Sequence, residues 1–156
     1  MGTKSAGILL YRFKNHFPEV LLVHPGGPFW AKKDLNSWSI PKGEFTDEED
    51  RLHAAIREFE EETGTPVSGN FIELTPVRQK SGKLVYCFAC EGDVDPTLIR
   101  SNTFEMEWPP KSGKKQFFPE IDRGEWFKVS EGKRKINESQ AAFIDELVEK
   151  LNLTKE

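Results

Sequence analysis

Short apolar runs near the start of the chain predict two paired strands. Residues 5–12 (AGILLYRF) and 19–24 (EVLLVH) are such runs, and the polar, proline-containing KNHFP lies between them. Runs of this length bounded by turn residues are typical of a hairpin. The following loop, PGGPFWAKKDLNSW, has the Gly and Pro content of irregular structure but carries Phe29, Trp30 and Trp38. We expect these aromatic side chains to be partly buried or to contact a ligand.

The pattern then changes to helical spacing. SWSIPKG predicts a brief strand and a turn, and TDEEDRLHAAIREFEEETG has helix signals at both ends. Thr46 with Glu49 matches a capping box, and Gly64 followed by Pro66 matches a C-terminal stop. Acidic residues in the first turn interact favourably with the positive end of the helix dipole. This segment is therefore predicted to be a helix.

Strand patterns return after the helix, and a second helix closes the chain. Strands are predicted at 71–78 and 83–91, joined by the turn KSGK, and at 125–129. In the C-terminal SQAAFIDELVEKLNL, one helical stripe holds Ile144, Leu147, Val148 and Leu151. Residues 101–124 show no clear period, which is typical of a lid, a binding loop or a disordered segment. The element order predicts an α+β fold, with a mixed sheet between helices.

Length, composition and charge narrow the class of protein. The 156 residues are 37% hydrophobic and 31% charged, so we expect a packed core and a single domain over residues 1–156. The net charge of -4 argues against a nucleic-acid partner, because such proteins usually carry a basic stripe. No run approaches 18 apolar residues and no signal-peptide pattern begins the chain. We therefore expect a cytoplasmic protein with no membrane partner.

The two cysteines, Cys87 and Cys90, are spaced as CxxC inside the strand-like run KLVYCFACEG. Residues three apart in a strand point to opposite faces, so this pair is poorly placed to bind one metal. A zinc ribbon would need a second pair. We expect reduced, structural thiols, as a reducing cytosol would keep them.

Three carboxylates share one face of the predicted helix. Glu58, Glu61 and Glu62 are spaced i, i+3 and i+4, so they are neighbours across one turn and repel one another. The adjoining buried arc is apolar and consists of Leu52, Ala55, Ile56 and Phe59. Carboxylate oxygens are the ligands that hard divalent cations such as magnesium prefer. For a charge run alone, a solvated acidic face is the simpler interpretation.

The surroundings of the acidic face favour a metal site. Gly43 closes a turn before the helix, where the missing side chain lets a backbone carbonyl approach a cation. Arg57 lies four residues before Glu61, so it can pair with a carboxylate while holding the loop before the helix.

The spacing of these residues resembles the Nudix box. The residues in register are Gly43, Glu49, Arg57, Glu58, Phe59, Glu61, Glu62 and Gly64. The pattern asks for an apolar residue after the last glycine, and the chain departs from it with Thr65. The strands around the box and the terminal helix also resemble the Nudix fold, an α/β/α sandwich.

The resemblance implies roles for these residues. Mg²⁺ or Mn²⁺ would be bound by Glu58, Glu61, Glu62 and the Gly43 carbonyl. Glu49 and Arg57 would form a bracing salt bridge. Many members add a carboxylate from a loop before a late strand, for which Glu120 is the candidate and Glu105 and Glu107 are competitors. The candidate catalytic residues are Glu58, Arg57 and Glu61, with Glu58 our choice of general base.

Nudix enzymes hydrolyse a nucleoside diphosphate linked to another moiety. The resemblance thus implies Mg²⁺-dependent cleavage of a phosphoanhydride by metal-activated water. HPGGPFWAKKDLNSWSIPKGE looks like a Nudix subgroup of unassigned substrate, and PKGE is similar to dinucleoside polyphosphate hydrolases. The candidate ligand is therefore a small nucleotide, such as a dinucleoside polyphosphate or a nucleoside triphosphate.

Candidate substrate-binding residues are Lys42, for a phosphate, and Trp30 and Trp38, for stacking on a base. Two alternatives remain open at this point. The chain could be a Nudix-fold sensor that binds a nucleotide without turnover, or a structural domain with an acidic surface. Either a monomer or a homodimer is compatible with the sequence.

Overall fold

The structure, a computed structural model, describes residues 3–152 and begins with the hairpin that the two apolar runs predict. Strand β1 spans Lys4–Lys14 and strand β2 spans Phe17–Pro25, and they pair antiparallel. Asn15 and His16 make the turn with φ angles of 52° and 71°. Two-residue hairpin loops favour positive φ at both positions because the twist of such a turn matches that of the strands.

A mixed sheet of seven strands is built on this hairpin. The other strands are β3 (Lys42–Phe45), β4 (Phe71–Glu73), β5 (Val77–Arg78), β6 (Leu84–Glu91) and β9 (Ile121–Lys128). The hydrogen-bonded order is β4-β6-β1-β2-β9, with β3 beside β1 and β5 beside β6. Strand β6 runs parallel to β1, whereas β9 runs antiparallel to β2.

Helices cover both faces of this sheet, which gives two cores. The helices are α1 (Arg51–Thr63), α2 (Val129–Lys135) and α3 (Ala141–Lys150). Alternate residues of β1 point to opposite faces, so Ile8 packs in the cluster with Phe59 of α1. Its neighbour Leu9 packs in the other cluster with Leu147 of α3. The predicted α+β fold is confirmed.

The cysteines follow the same alternation. Cys87 belongs to the cluster on the α3 side and Cys90 to the cluster on the α1 side. Both are buried free thiols, and burial raises the pKa of each. The prediction that they point to opposite faces as structural thiols is confirmed.

Helix α1 begins later than the capping-box prediction placed it. Its N-cap is Asp50, whose Oδ2 accepts from the backbone N–H groups of Leu52 and His53, each at 3.1 Å. The Thr46 cap is wrong because Arg57 and His53 bind the Glu49 carboxylate, so Glu49 cannot complete the box. The predicted stop is confirmed, since Gly64 ends the helix with a φ of 76°.

Residues 101–124 are more regular than their sequence suggests. Strands β7 (Thr103–Glu107) and β8 (Lys115–Pro119) form a separate antiparallel hairpin, and β9 then begins at Ile121, before the predicted start at 125. The alternation of TFEME is the strand signal here, with Phe104 and Met106 on one face. Helix α2 was also not predicted, and residues 71–78 form two short strands.

No helix in the described part of the chain is long and apolar enough to cross a membrane.

Candidate active site

The acidic face of α1 points toward strand β3. The backbone N–H of Lys42 donates to Glu62 Oε1 at 3.2 Å. A Cβ placed on Gly43 would lie 1.8 Å from Glu58 Oε1 and 2.7 Å from Glu58 Oε2. The missing side chain at Gly43 therefore creates the space that the Glu58 carboxylate occupies.

Arg57 connects the loop before the helix with this face. Its Nε and Nη2 donate to the two oxygens of Glu49, each at 2.8 Å. Its Nη1 donates to Glu58 Oε2 at 2.8 Å and to Glu61 Oε2 at 2.7 Å. The hydrogen bond from Arg57 is the main cause that lowers the pKa of Glu49 to about 2. The Glu49–Arg57 ion pair is thus present, and Arg57 also neutralises charge on the acidic face.

The three carboxylates of this face differ in how deeply they are buried. The side chain of Glu58 is 14% exposed and that of Glu61 is 44% exposed. Burial is the main cause that raises the pKa of Glu58, with smaller effects from nearby Glu61 and Glu120. Burial also raises the pKa of Glu62 to about 7, and the charge of Glu120 adds to it. Two charges that are poorly hydrated therefore lie side by side.

The raised pKa of Glu62 makes the stability of the metal-free protein fall as pH rises. The folded state binds this proton more tightly than the unfolded chain, whose carboxyl keeps its ordinary pKa of 4.5. The stabilising contribution is complete below the ordinary pKa and is lost as pH rises through about 7. We expect urea unfolding in EDTA to show that the free energy of unfolding of Glu62→Gln, relative to that of the wild type, rises by about 1–3 kcal/mol between about pH 5 and about pH 8.

Glu60→Gln is the matched control, because Glu60 is an exposed residue of the same helix. We expect it to follow the wild type across this pH range. Parallel stability curves for Glu62→Gln and the wild type would contradict the burial of this charge.

Glu120 is brought to the acidic face by the loop between β8 and β9. Its backbone N–H donates to the Asn102 carbonyl at 2.9 Å, and its carbonyl accepts from the Gly26 N–H at 2.9 Å. The competing carboxylates belong to the hairpin itself. Glu105 lies 3.8 Å from Lys115 Nζ, and Glu107 accepts from the Gly113 N–H at 2.8 Å. Of these three residues, Glu120 is the one whose charge acts on Glu58 and Glu62.

These residues fit a divalent cation by their chemistry, although they do not yet converge. Within residues 3–152, no three His, Cys, Asp or Glu side chains form a group able to hold an ion as they stand. The reason is that Arg57 holds oxygens of Glu58 and Glu61, while the Lys42 N–H holds one of Glu62. The candidate ligands are all oxygens, from carboxylates and from the Gly43 carbonyl, and such a set suits Mg²⁺ or Mn²⁺.

The structure separates the two tryptophans that were predicted to bind substrate. Trp38 is 1% exposed, its ring packs edge-on against Phe127 at 4.9 Å, and its Nε1 donates to Asp34 Oδ1 at 2.8 Å. Because a base cannot reach an enclosed ring, the stacking role predicted for Trp38 is wrong. Trp30 is partly exposed in the loop after β2. Lys42 lies beside Glu62, and burial is the main cause that lowers its pKa.

His24 was not predicted and helps to position the loop that carries Trp30. It is fully buried, with Nδ1 3.0 Å from Asp122 Oδ1 and Nε2 2.6 Å from the Lys33 carbonyl. The ring lies between two hydrogen-bond acceptors, the carboxylate of Asp122 and the carbonyl of Lys33. It joins the loop to β9. A single His at the end of EVLLVH gives no sequence signal of this role.

The fold and the site together define a class: an α/β/α sandwich whose acidic helix and glycine-containing strand form a carboxylate-rich site. The family model for the NUDIX domain matches residues 1–147 of this chain. The chain therefore belongs to the NUDIX domain family. The predicted family is confirmed. Nudix hydrolase 7 of Arabidopsis thaliana is 31% identical over 100 residues, which cover 59% of this chain. The match spans about a third, 34%, of that relative's length.

Solved structures support the same fold. The C. elegans Ap4A hydrolase in a binary complex superposes with a TM-score of 0.63 at 20% identity, covering 96% of this chain and 98% of that one. The NUDIX domain of Shewanella oneidensis NrtR complexed with ADP ribose gives a TM-score of 0.64 at 17% identity. That match covers 97% of this chain and 89% of the other.

Proposed function

We propose that this protein hydrolyses a phosphoanhydride bond in a nucleoside diphosphate linked to another moiety, with Mg²⁺ as cofactor and Mn²⁺ able to substitute. The observation that carries the proposal is the Glu58, Glu61 and Glu62 face of α1, directed at Gly43 of β3. Membership of the NUDIX family and the similarity to Nudix hydrolase 7 support it.

The cation would be held by Glu58, Glu61, Glu62 and the carbonyl of Gly43, with Glu120 approaching from the β8–β9 loop. When bound, a divalent cation neutralises phosphate oxygens and lowers the pKa of water. The mutual repulsion of the carboxylates supports this assignment, because a bound cation relieves it. A solvated acidic surface would not explain why two of these carboxylates are partly buried.

The protein's own groups would position the reactants. Glu58 takes the proton from the attacking water, whose oxygen forms the new bond to phosphorus while the bridging P–O bond breaks. Arg57 orients Glu58 and Glu61 through Nη1, and its bidentate pair with Glu49 keeps the guanidinium in place. The Lys42 ammonium would bind a phosphate next to the carboxylates.

The structural neighbours favour a nucleotide as the substrate. One is an Ap4A hydrolase and another is a NUDIX domain complexed with ADP ribose. We therefore propose a nucleotide-linked diphosphate, with a dinucleoside polyphosphate as the first compound to test. We also propose a cytosolic location, which the sequence predicts and with which the buried free thiols of Cys87 and Cys90 are compatible.

A second candidate function is a nucleotide sensor without turnover. The observation in its favour is that Arg57 Nη1 already donates to Glu58 and Glu61, so two of the three carboxylates have a cationic partner without a metal. An enzyme and a sensor then differ in whether a bound nucleotide is cleaved.

Chromatographic separation of the nucleotide products and thermal unfolding, each with and without Mg²⁺, separate these candidates. For the enzyme we expect Mg²⁺-dependent cleavage of a dinucleoside polyphosphate, ADP-ribose or a nucleoside triphosphate. We also expect excess Mg²⁺ to raise the Tm. At an Mg²⁺ concentration a hundred times the Kd, the free energy of unfolding should increase by about 2.7 kcal/mol. Nucleotide binding without cleavage would instead support the sensor. A Tm and an activity that are both unchanged by Mg²⁺ would contradict a cation site.

A further inference from the structure

An apolar cleft opens beside the acidic face, between the loop after β2 and the β7–β8 hairpin. Its volume is about 380 Å³, within the range of roughly 300–1,000 Å³ that ligand pockets occupy. The loop contributes Phe29 and Trp30, the hairpin contributes Phe104 and Met106, and Glu120 lies at its edge. The cleft therefore shares Glu120 with the carboxylate site.

The two walls of the cleft are held in place by close backbone packing. A Cβ on Gly26 would lie 2.0 Å from the Pro119 carbonyl oxygen, at the end of the hairpin. Gly27 has a φ of +95°, and a Cβ there would lie 2.9 Å from Phe104 Cζ. A side chain at either position would push the loop and the hairpin apart. The two glycines thus keep the walls at their present separation.

Aromatic groups dominate the chemistry of this cleft. The rings of Phe29 and Trp30 meet edge to face with centroids 5.0 Å apart, and Lys33 Nζ lies 3.9 Å from the Phe29 centroid. Among the described residues that line the cleft there is no Asn, Gln or Arg. Those side chains read a purine edge through paired hydrogen bonds, and the carboxylate that lines the cleft, Glu120, is assigned to the proposed cation site. Flat rings can be bound here by stacking, which every base permits.

We propose that this cleft binds the nucleobase of the substrate by stacking and accepts adenine and guanine alike. The inference rests on the proposed function, because Glu120 links the cleft to the carboxylates that would act on the diphosphate. Selectivity would then lie in the phosphate chain and the leaving group, and the hairpin residues Phe104 and Met106 would set the affinity for the base.

Calorimetric binding of AMP, GMP and ribose 5-phosphate to the full chain in Mg²⁺ tests this directly. We expect AMP and GMP to bind within about tenfold of each other and ribose 5-phosphate at least about tenfold more weakly. Phe104→Ala and Trp30→Leu should each weaken both nucleotides by roughly 5- to 100-fold. Neither variant should change the affinity for ribose 5-phosphate.

Phe117→Ala is the matched control, since Phe117 belongs to the same hairpin, is 68% exposed and lies outside the cleft. Phe104→Leu, which keeps an apolar side chain but removes the ring, guards against loss of the hairpin and should still weaken the nucleotides. Equal binding of AMP and ribose 5-phosphate by the wild type would overturn the inference. So would unchanged nucleotide binding in Phe104→Ala and Trp30→Leu, or a preference between AMP and GMP above tenfold.

Hydrolysis assays keep this inference separate from the proposed function. Base-dependent binding by a wild type that cleaves no anhydride would overturn the proposed function alone. Mg²⁺-dependent cleavage with a KM that Phe104→Ala and Trp30→Leu leave unchanged would overturn the stacking cleft alone.

Discussion

Glu62→Gln is expected to lower Mg²⁺-dependent cleavage by about 100-fold or more, the loss that follows removal of one preorganised electrostatic group. Glu62 is the carboxylate whose charge is most strongly opposed by burial, since its pKa is raised to about 7. A folded chain keeps such a charge at neutral pH only at a free-energy cost. A ligand role explains why a carboxylate occupies this position, because a bound cation offsets that cost.

The same substitution should leave the fold intact. Glutamine keeps the side-chain oxygen that accepts from the Lys42 N–H, a hydrogen bond of 3.2 Å in the wild type. It also removes the buried negative charge, so without metal the variant should be at least as stable as the wild type near neutral pH. The Tm increase caused by Mg²⁺ should shrink, because one ligand is missing.

The measurement is a steady-state kcat and KM for one cleaved nucleotide at saturating Mg²⁺, together with thermal unfolding. Glu60→Gln, one exposed carboxylate on the same helix, controls for the change in net charge and should retain wild-type turnover. Wild-type turnover in Glu62→Gln would contradict the ligand role of Glu62, independently of the role of Glu58.

The sequence predicted the parts of this site that depend on local spacing. The helix that aligns Glu58, Glu61 and Glu62 follows from a 3.6-residue period, and the Gly64 stop follows from backbone freedom. The helix start was wrong because local signals compete. Thr46 and Asp50 can both cap a helix, and the choice depends on Arg57 binding Glu49 across eight residues.

Features that depend on long-range packing were harder to predict. Trp38 stands in a glycine-rich loop, yet its backbone N–H and C=O bond to Lys135 and Asn137, which draws the ring into the core. The aromatic cleft needs Trp30 and Phe104, which are far apart in sequence and line one cleft because Gly26 and Gly27 pack closely against the hairpin. No pattern within either segment reveals this arrangement, although the alternation of TFEME could have revealed the strand.

Gly43→Ala is expected to abolish most of the activity while changing stability by less than about 1 kcal/mol. The new Cβ would lie 1.8 Å from Glu58 Oε1, well inside any permitted contact, so the carboxylate must move. It lies at the end of a flexible side chain, and it can turn away without shifting the backbone of α1 or β3. A displacement of about 1 Å at a catalytic group is enough for a loss of roughly 100-fold.

Glu44→Ala is the matched control, because Glu44 is the next residue of β3 and its side chain is 62% exposed beside Lys83. It should keep wild-type kcat and Tm. In Gly43→Ala, we expect a lower kcat and a smaller Tm increase with Mg²⁺, since a displaced Glu58 weakens cation binding as well as proton transfer. Full activity in Gly43→Ala would mean that Glu58 can leave its present position during turnover, and the general base would then have to be sought at Glu61 or Glu120.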